Sequence, residues 1–270
     1  MSKVHPTAII DKGAKLASDV EVGPYSVIGA EVEIGEGTSV ASHVVLSGRT
    51  VIGKRCAIFS GAYLGAPGQV SNYKALKNTS VKIGDDNIIR EHVTVHAGST
   101  DGAQTVVGDR NFLMIGCHVA HDDVIGNDTL MANGVTLAGY VTVEDHAVLG
   151  GLVGVHQHSR IGKYSMIGGL SRVVMDIPPF SICSGHPARF YGLNAVGLRR
   201  AKFASKDAML IKKALKTLFV AGLPLQEAIA KVKNEMKGST DVDYLVNFVE
   251  KSKRGMVRVP IAGQEEDVLD

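Results

Sequence analysis

The chain has 270 residues, 45% of them apolar, no tryptophan and a formal net charge of +2. That length allows one large domain and a smaller one. The near-neutral charge carries no nucleic-acid signature, and no run of 18 apolar residues is present to span a membrane. The start, Met1 to Ile10, lacks the apolar core of a secretory leader. Cys56, Cys117 and Cys183 follow no metal or redox spacing, so reduced, partly buried thiols in a cytoplasmic protein are expected.

From Val4 an aliphatic residue recurs at every sixth position: Ile10, Leu16, Val22, Ile28, Ile34, Val40, Leu46, Ile52, Ile58 and Leu64. The beat resumes at Ile83, Ile89 and Val95, and runs unbroken from Val107 to Val173. A period of six fits neither a helix nor the alternation of a strand. It predicts a mainly β solenoid of short strands over residues 1–190, with a corner every six residues and 18 residues to a coil. Coils then stack about 4.8 Å apart, and each inward slot touches the slot 18 residues on. A glycine often follows the slot, as at Gly23, Gly35 and Gly53; it is expected to supply the positive φ of a tight corner.

Two segments interrupt the beat, at 66–82 and 97–106. Across the first the spacing is 19, one more than a coil; across the second the count stays in phase, with Asp101 in an inward slot. Both read as loops leaving the prism, where functional residues often ride; a tolerated surface insertion is the competing reading. At Asp176–Phe180 the beat stops, and Pro178 and Pro179 are expected to end strand pairing. A linker over Ser184–Gly197 then leads into a helical domain, 191–258. Its helices are expected over Lys206–Val220, capped by Ser205, over Leu225–Met236, and after Thr240. Such a domain would cover an open coil end, which is an unpaired edge. Residues 259–270 read as a disordered acidic tail.

Histidines cluster. The 18-residue rule stacks His121 beneath Gly139 and Gln157, Ala120 beneath Ala138 and His156, and Asp122 beneath Tyr140 and His158. One such histidine alone would be ordinary surface; several on one patch suggest chemistry. Two chemistries remain open. Three imidazoles can hold zinc, although here one would have to come from a neighbouring chain. Alternatively, a neutral imidazole can act as a general base, with the Gly139 N–H facing a developing oxyanion.

The stretches HPTAIID, GPYSVIG, IREHVTVH, HVAHD, LAGY and VHQ, with the terminal GLNAVGLRR, resemble the bacterial UDP-N-acetylglucosamine O-acyltransferases over residues 4 to 255. The resemblance implies a left-handed parallel β-helix with a small C-terminal α-helical domain, in a homotrimer with active sites between subunits. It implies transfer of a 3-hydroxyacyl chain from acyl carrier protein to the 3-position of the UDP-sugar, the first step of lipid A synthesis. No metal or cofactor is implied, since the phosphopantetheine belongs to the donor protein. By matching motif, His121 is the base, Asp122 its support and Gly139 the oxyanion donor. His118, His156 and Gln157 line the sugar and acyl sites, and His96 lies near the nucleotide sugar. Asn194 and Arg200 meet the uridine diphosphate, and Gly169 falls where acyl length is set. Tyr140, Val196 and Ala201 depart from the family pattern, and Asn72 or Lys74 stands in for a loop lysine. These departures leave a 3-amino UDP-sugar as a second candidate acceptor. A γ-type carbonic anhydrase-like zinc enzyme and a non-catalytic scaffold compete with the acyltransferase reading. Basic residues around the first helix (Arg199, Arg200, Lys202, Lys206, Lys212, Lys213 and Lys216) are a candidate dock for acidic acyl carrier protein.

Overall fold

The computed structural model describes residues 3–70 and 78–259; Asn72, Lys74 and the tail from Pro260 lie outside the described residues. Short parallel strands, most of them two residues long, build three sheets that close a left-handed β-helix. The first face runs from Lys3–Val4 to Met166–Ile167, the second from Ile9–Ile10 to Arg172–Val173, and the third from Lys15–Leu16 to Arg160–Ile161. From Val22 to Val173 each aliphatic slot of the beat is at most 3% exposed. Each contributes ~1.5–3 kcal/mol of burial. At the open end Val4 is 39% exposed, because no coil lies beyond it.

Apart from Gly65, with φ +90°, the glycines after the slots serve a purpose different from the one expected. Gly23 and Gly35 do not take positive φ; a Cβ on either would lie 2.7 Å from a backbone carbon of the next coil, at Ala41 and Gly53. Close approach between coils excludes a side chain there. The left-handed residue of the corner stands two positions further on and is commonly not glycine: Tyr25, His43, Asp122, Tyr140 and His158 all have φ between 55° and 62°.

The first interruption is also not a coil plus one. Ile52 pairs with Ile83 and Leu64 with Val95, so neighbouring coils there lie 31 positions apart. The spacing of 19 from Leu64 to Ile83 thus spans one side of the prism rather than a coil. Across the second interruption the step is 24, as Asp85 to Asp109 shows. Asp101 is exposed, outside the prism. Strands Tyr63–Ala66, Ser80–Ile83 and Gln104–Val107 reach into the segments expected as loops.

Inside the corners, polar side chains replace lost ladder bonds. Asn87 and Asn111 accept the N–H groups of Asn111 and Thr129, each at 2.9 Å, and their amides donate to the carbonyls of Gly108 and Gly126. Outside one corner the N–H groups of Asp85, Asp109 and Asn127 are each taken by the Asx side chain of the next coil, at 2.7–2.8 Å. The outward positions of the first face are apolar over six successive strands: Ile88, Phe112, Leu130, Val148, Met166 and Ile182.

Strand pairing does not end at the prolines. Pro178 and Pro179 lie between strands, where no ladder N–H is needed, and Ser181–Gly185 pairs with Met166–Ile167, placing Cys183 in the inward slot. It turns back into Ala188–Leu193 as an antiparallel hairpin, where a linker was expected. Four helices follow: α1 (Ala195–Arg200), α2 (Ser205–Phe219), α3 (Leu225–Glu235) and α4 (Thr240–Glu250). α1 was not anticipated. Ser205 is the first residue of α2 rather than its cap, and Ala204 at the cap position makes no side-chain bond. α4 is fixed to the last coils: Tyr244 donates to Glu144 at 2.6 Å, and the Arg160 guanidinium lies 3.9 Å from the centre of the Phe248 ring. Among the described residues no helix is long and apolar enough to cross a membrane.

Candidate active site

The corner between the second and third faces carries residues 120–122, 138–140 and 156–158 on successive coils, linked by Tyr140 N–H to His121 O (3.1 Å) and His158 N–H to Gly139 O (3.2 Å). His121 and Asp122 lie side by side, with His121 Nδ1 and Asp122 Oδ2 2.9 Å apart. The same Oδ2 accepts from Ser99 N–H at 3.1 Å and from the Ser99 hydroxyl at 2.6 Å. With the Ser99 proton thus used, the Tyr140 hydroxyl, 2.7 Å away, donates to Ser99 Oγ. A carboxylate receiving these donors is an acceptor, so Nδ1 carries the proton and Nε2 is left as the basic lone pair. Tyr140 meets His121 edge-on and stacks on His158, with centroids 4.7 Å apart and planes within 11°.

The imidazole of His121 occupies the space a side chain on Gly139 would need. A Cβ there would lie 2.7 Å from Cε1 and 2.9 Å from Nε2. Glycine at this position therefore makes room for the ring as well as leaving its own N–H accessible. That N–H has no protein partner among the described residues. The contrast with the Asx corner is physical: there an Asp or Asn one coil on takes the equivalent N–H, whereas Gln157 stands here and does not.

His118 and His96 lie one face back, rings edge to face at 4.9 Å. Thr94 Oγ1 is 2.7 Å from His118 Nδ1. Burial, with the nearby His96 and His121 as smaller causes, pulls His118 down to about 4, so it is neutral at physiological pH. Burial also lowers His96, against a hydrogen bond to the Pro67 carbonyl, and its Nδ1 is buried without a partner. His156 and Gln157 are exposed at the third coil of the corner. Burial pushes the Asp123 carboxyl up to about 7, while N–H bonds from Val141 and Ala120 act in the opposite sense.

The remaining candidates lie elsewhere. Gly169, Asn194 and Arg200 line a cavity of about 690 Å³ with Val148, Met166, Leu170 and Val196, at the corner between the first and second faces. Asn194 is 7% exposed and already engaged: its amide donates to Tyr164 O and its carbonyl caps α1 through Gly197 N–H. One chain thus carries two groups of candidate residues on two different edges. Sequence reasoning missed Ser99, Thr105 and Asp123. Ser99 meets Asp122 across the longer step, where the 18-residue rule fails; Thr105 meets it 17 residues on, one short of the rule; and Asp123 looked like a second surface acid in HVAHDD.

Comparison with known proteins gives the class first. The family described as UDP N-acetylglucosamine O-acyltransferase, domain 2, matches residues 176–257, which marks an acyltransferase; the GMPPB C-terminal domain family matches residues 4–106 of the coils. The acyl-[acyl-carrier-protein]–UDP-N-acetylglucosamine O-acyltransferase of Thermodesulfovibrio yellowstonii is 49% identical over 96% of this chain and 100% of its own length. That of Syntrophobacter fumaroxidans is 45% identical over 95% of this chain and all of its own. The solved LpxA structure from Acinetobacter baumannii superposes with a TM-score of 0.91 at 41% identity, covering 94% of this chain and 99% of that one. The chain belongs to the UDP-N-acetylglucosamine O-acyltransferase family. Relatives named for O-acyl transfer favour neither an amine acceptor nor a zinc enzyme.

Proposed function

We propose that this enzyme moves a 3-hydroxyacyl chain from acyl carrier protein to the 3-hydroxyl of UDP-N-acetylglucosamine, in lipid A synthesis. The observation that carries the reading is His121: Nδ1 is tied to Asp122, and the ring is seated over Gly139 with its unpaired N–H. Nε2 takes the proton of the sugar 3-hydroxyl as that oxygen attacks the thioester carbonyl. The tetrahedral oxyanion forms against the Gly139 N–H. Its collapse expels the phosphopantetheine thiolate of the donor, which takes the proton back from His121. Charge on the imidazole is matched throughout by Asp122, held by Ser99. His96, His118, His156 and Gln157 surround the sugar and the acyl head.

The site is completed between subunits of a homotrimer. The support for this is the separation of the two candidate groups onto two edges of one prism, together with the apolar outer stripe of the first face. In the trimer the edge bearing Gly169, Asn194 and Arg200 of one protomer faces the His121 edge of the next, with Arg200 toward the diphosphate and the cavity beside Gly169 holding the acyl tail. The lysines of α2 (Lys206, Lys212, Lys213 and Lys216) supply a basic dock for the acidic carrier protein, and no cofactor of the enzyme's own takes part.

The test is acyl transfer from a panel of 3-hydroxyacyl carrier-protein thioesters to UDP-N-acetylglucosamine and its 3-amino analogue, with products read by mass spectrometry. His121→Ala should lose about 10²–10⁴-fold in kcat with its oligomeric state unchanged. Near-normal turnover in that variant would remove His121 as the base.

A further inference from the structure

Asp123 is a fully buried acid that the proton transfer above does not use. Oδ1 accepts from Val141 N–H at 2.8 Å, one coil on, as Ser26 does from Val44 and Asn111 from Thr129. The other oxygen behaves differently from its counterparts. Oδ2 accepts the N–H of Ala120, three residues earlier in its own turn, at 2.8 Å.

At ordinary corners the residue after a slot donates to the carbonyl of the slot one coil on: Gly126 N–H to Val143 O at 2.7 Å, Ala138 N–H to Val155 O at 3.1 Å. Ala120 makes no such bond to Leu137 among the described residues. Strand pairing reflects this. His118–Val119 registers on the next coil through His118 and Thr136 alone, whereas Thr136–Leu137 registers on the coil above through two residue pairs. Thr105 is shifted as well: its Oγ1 accepts from Asp122 N–H, 17 residues on, where Ser26 and Thr38 accept from residues 18 on. The corner that holds His121 is displaced from the ladder.

The asparagine corners show why an acid is needed. Asn111 donates its amide to Gly126 O, 15 residues on. An asparagine at 123 would find Ala138 O at the same offset, the carbonyl of the peptide whose N–H belongs to Gly139. Both oxygens of Asp123 already accept backbone N–H groups, from Ala120 and Val141, so neither is turned to donate to Ala138 O; the side chain leaves that peptide untied while it draws in the Ala120 N–H.

We infer that Asp123 is a positioning residue for the catalytic base: by taking the Ala120 amide out of the coil ladder it displaces the corner and seats His121 over Gly139. This rests on the reading of His121 as the base. The experiment uses the full chain, with 3-hydroxyacyl carrier protein and UDP-N-acetylglucosamine, and compares Asp123→Asn, Asp123→Thr and His121→Ala. Asp123→Asn should lower kcat about 10- to 100-fold, the scale of a catalytic group misplaced by about an ångström. Its KM for the UDP-sugar should stay within about twofold, and its Tm should not fall, because the amide can rejoin the ladder. Asp123→Thr keeps the bond to Val141 and should lose kcat in the same way, measured per folded molecule. Full kcat in these variants, a rise in KM alone, or a fall in Tm with kcat intact would overturn the inference. If His121→Ala is inactive while both Asp123 variants turn over fully, this inference fails by itself; if His121→Ala is active, the base assignment fails instead.

Discussion

Gly139 has φ +88°, and a methyl group there would press on Cε1 and Nε2 of His121. Gly139→Ala should therefore cost about 10²-fold in kcat by moving the imidazole, while its left-handed backbone costs about 1–2 kcal/mol in stability. Kinetics at a temperature where the variant is fully folded separates the two effects. His118 gives a pH signature. Its folded pKa of about 4 lies below the ordinary 6.5, so below pH 6.5 the unfolded chain takes up the proton first. The stability it contributes is complete above pH 6.5 and is lost as pH falls toward 4. His118→Gln lacks that proton, so thermal melts from pH 7 to pH 4.5 should lower the wild type more steeply than the variant. At this scale the sequence was legible wherever partners sit one uninterrupted coil apart, as His121, Gly139 and Tyr140 do. Ser99 was not, because its contact with Asp122 depends on how far a loop displaces the count.

Among the elements, the six-residue beat located the strands from Val107 to Val173, since each slot must be aliphatic and buried to hold the prism together. The hairpin Ser181–Leu193 escaped because its antiparallel return abandons the period. Pro178 and Pro179, just before it, were read as terminators although they sit between strands, where their missing N–H costs nothing. α1 escaped because it has six residues and depends on its cap, and the sequence does not show that Asn194 Oδ1 accepts from Gly197 N–H while the amide reaches Tyr164 O. Asn194→Ala should cost about 1 kcal/mol for the lost cap. Equilibrium denaturation would show it as a lower midpoint with unchanged slope.

For the molecule as a whole, a second rhythm was present but unread. From Phe112 the residue just before the first-face slot is apolar every 18 positions: Phe112, Leu130, Val148 and Met166. Outward positions on a sheet are ordinarily polar, and an apolar stripe this long asks for a cover. In the proposed homotrimer this stripe is the seam, so Leu130→Asp in its middle should leave monomers by analytical ultracentrifugation and abolish turnover, with the monomer's far-ultraviolet dichroism preserved. A variant that remained trimeric and active would show that subunits meet elsewhere.

Both interruptions of the beat fall between the second and third faces, on the coils just before the His121 corner. The third face keeps its register across both, with Ile83 paired to Ile52 on one side and Val107 on the other, while the second face shifts register between Leu64 and Ala66. Chain added on that edge costs closure entropy that grows only slowly with length and no aliphatic contact. The length of chain on that edge can thus change, residue by residue, while the hydrocarbon stack beneath goes on folding as before.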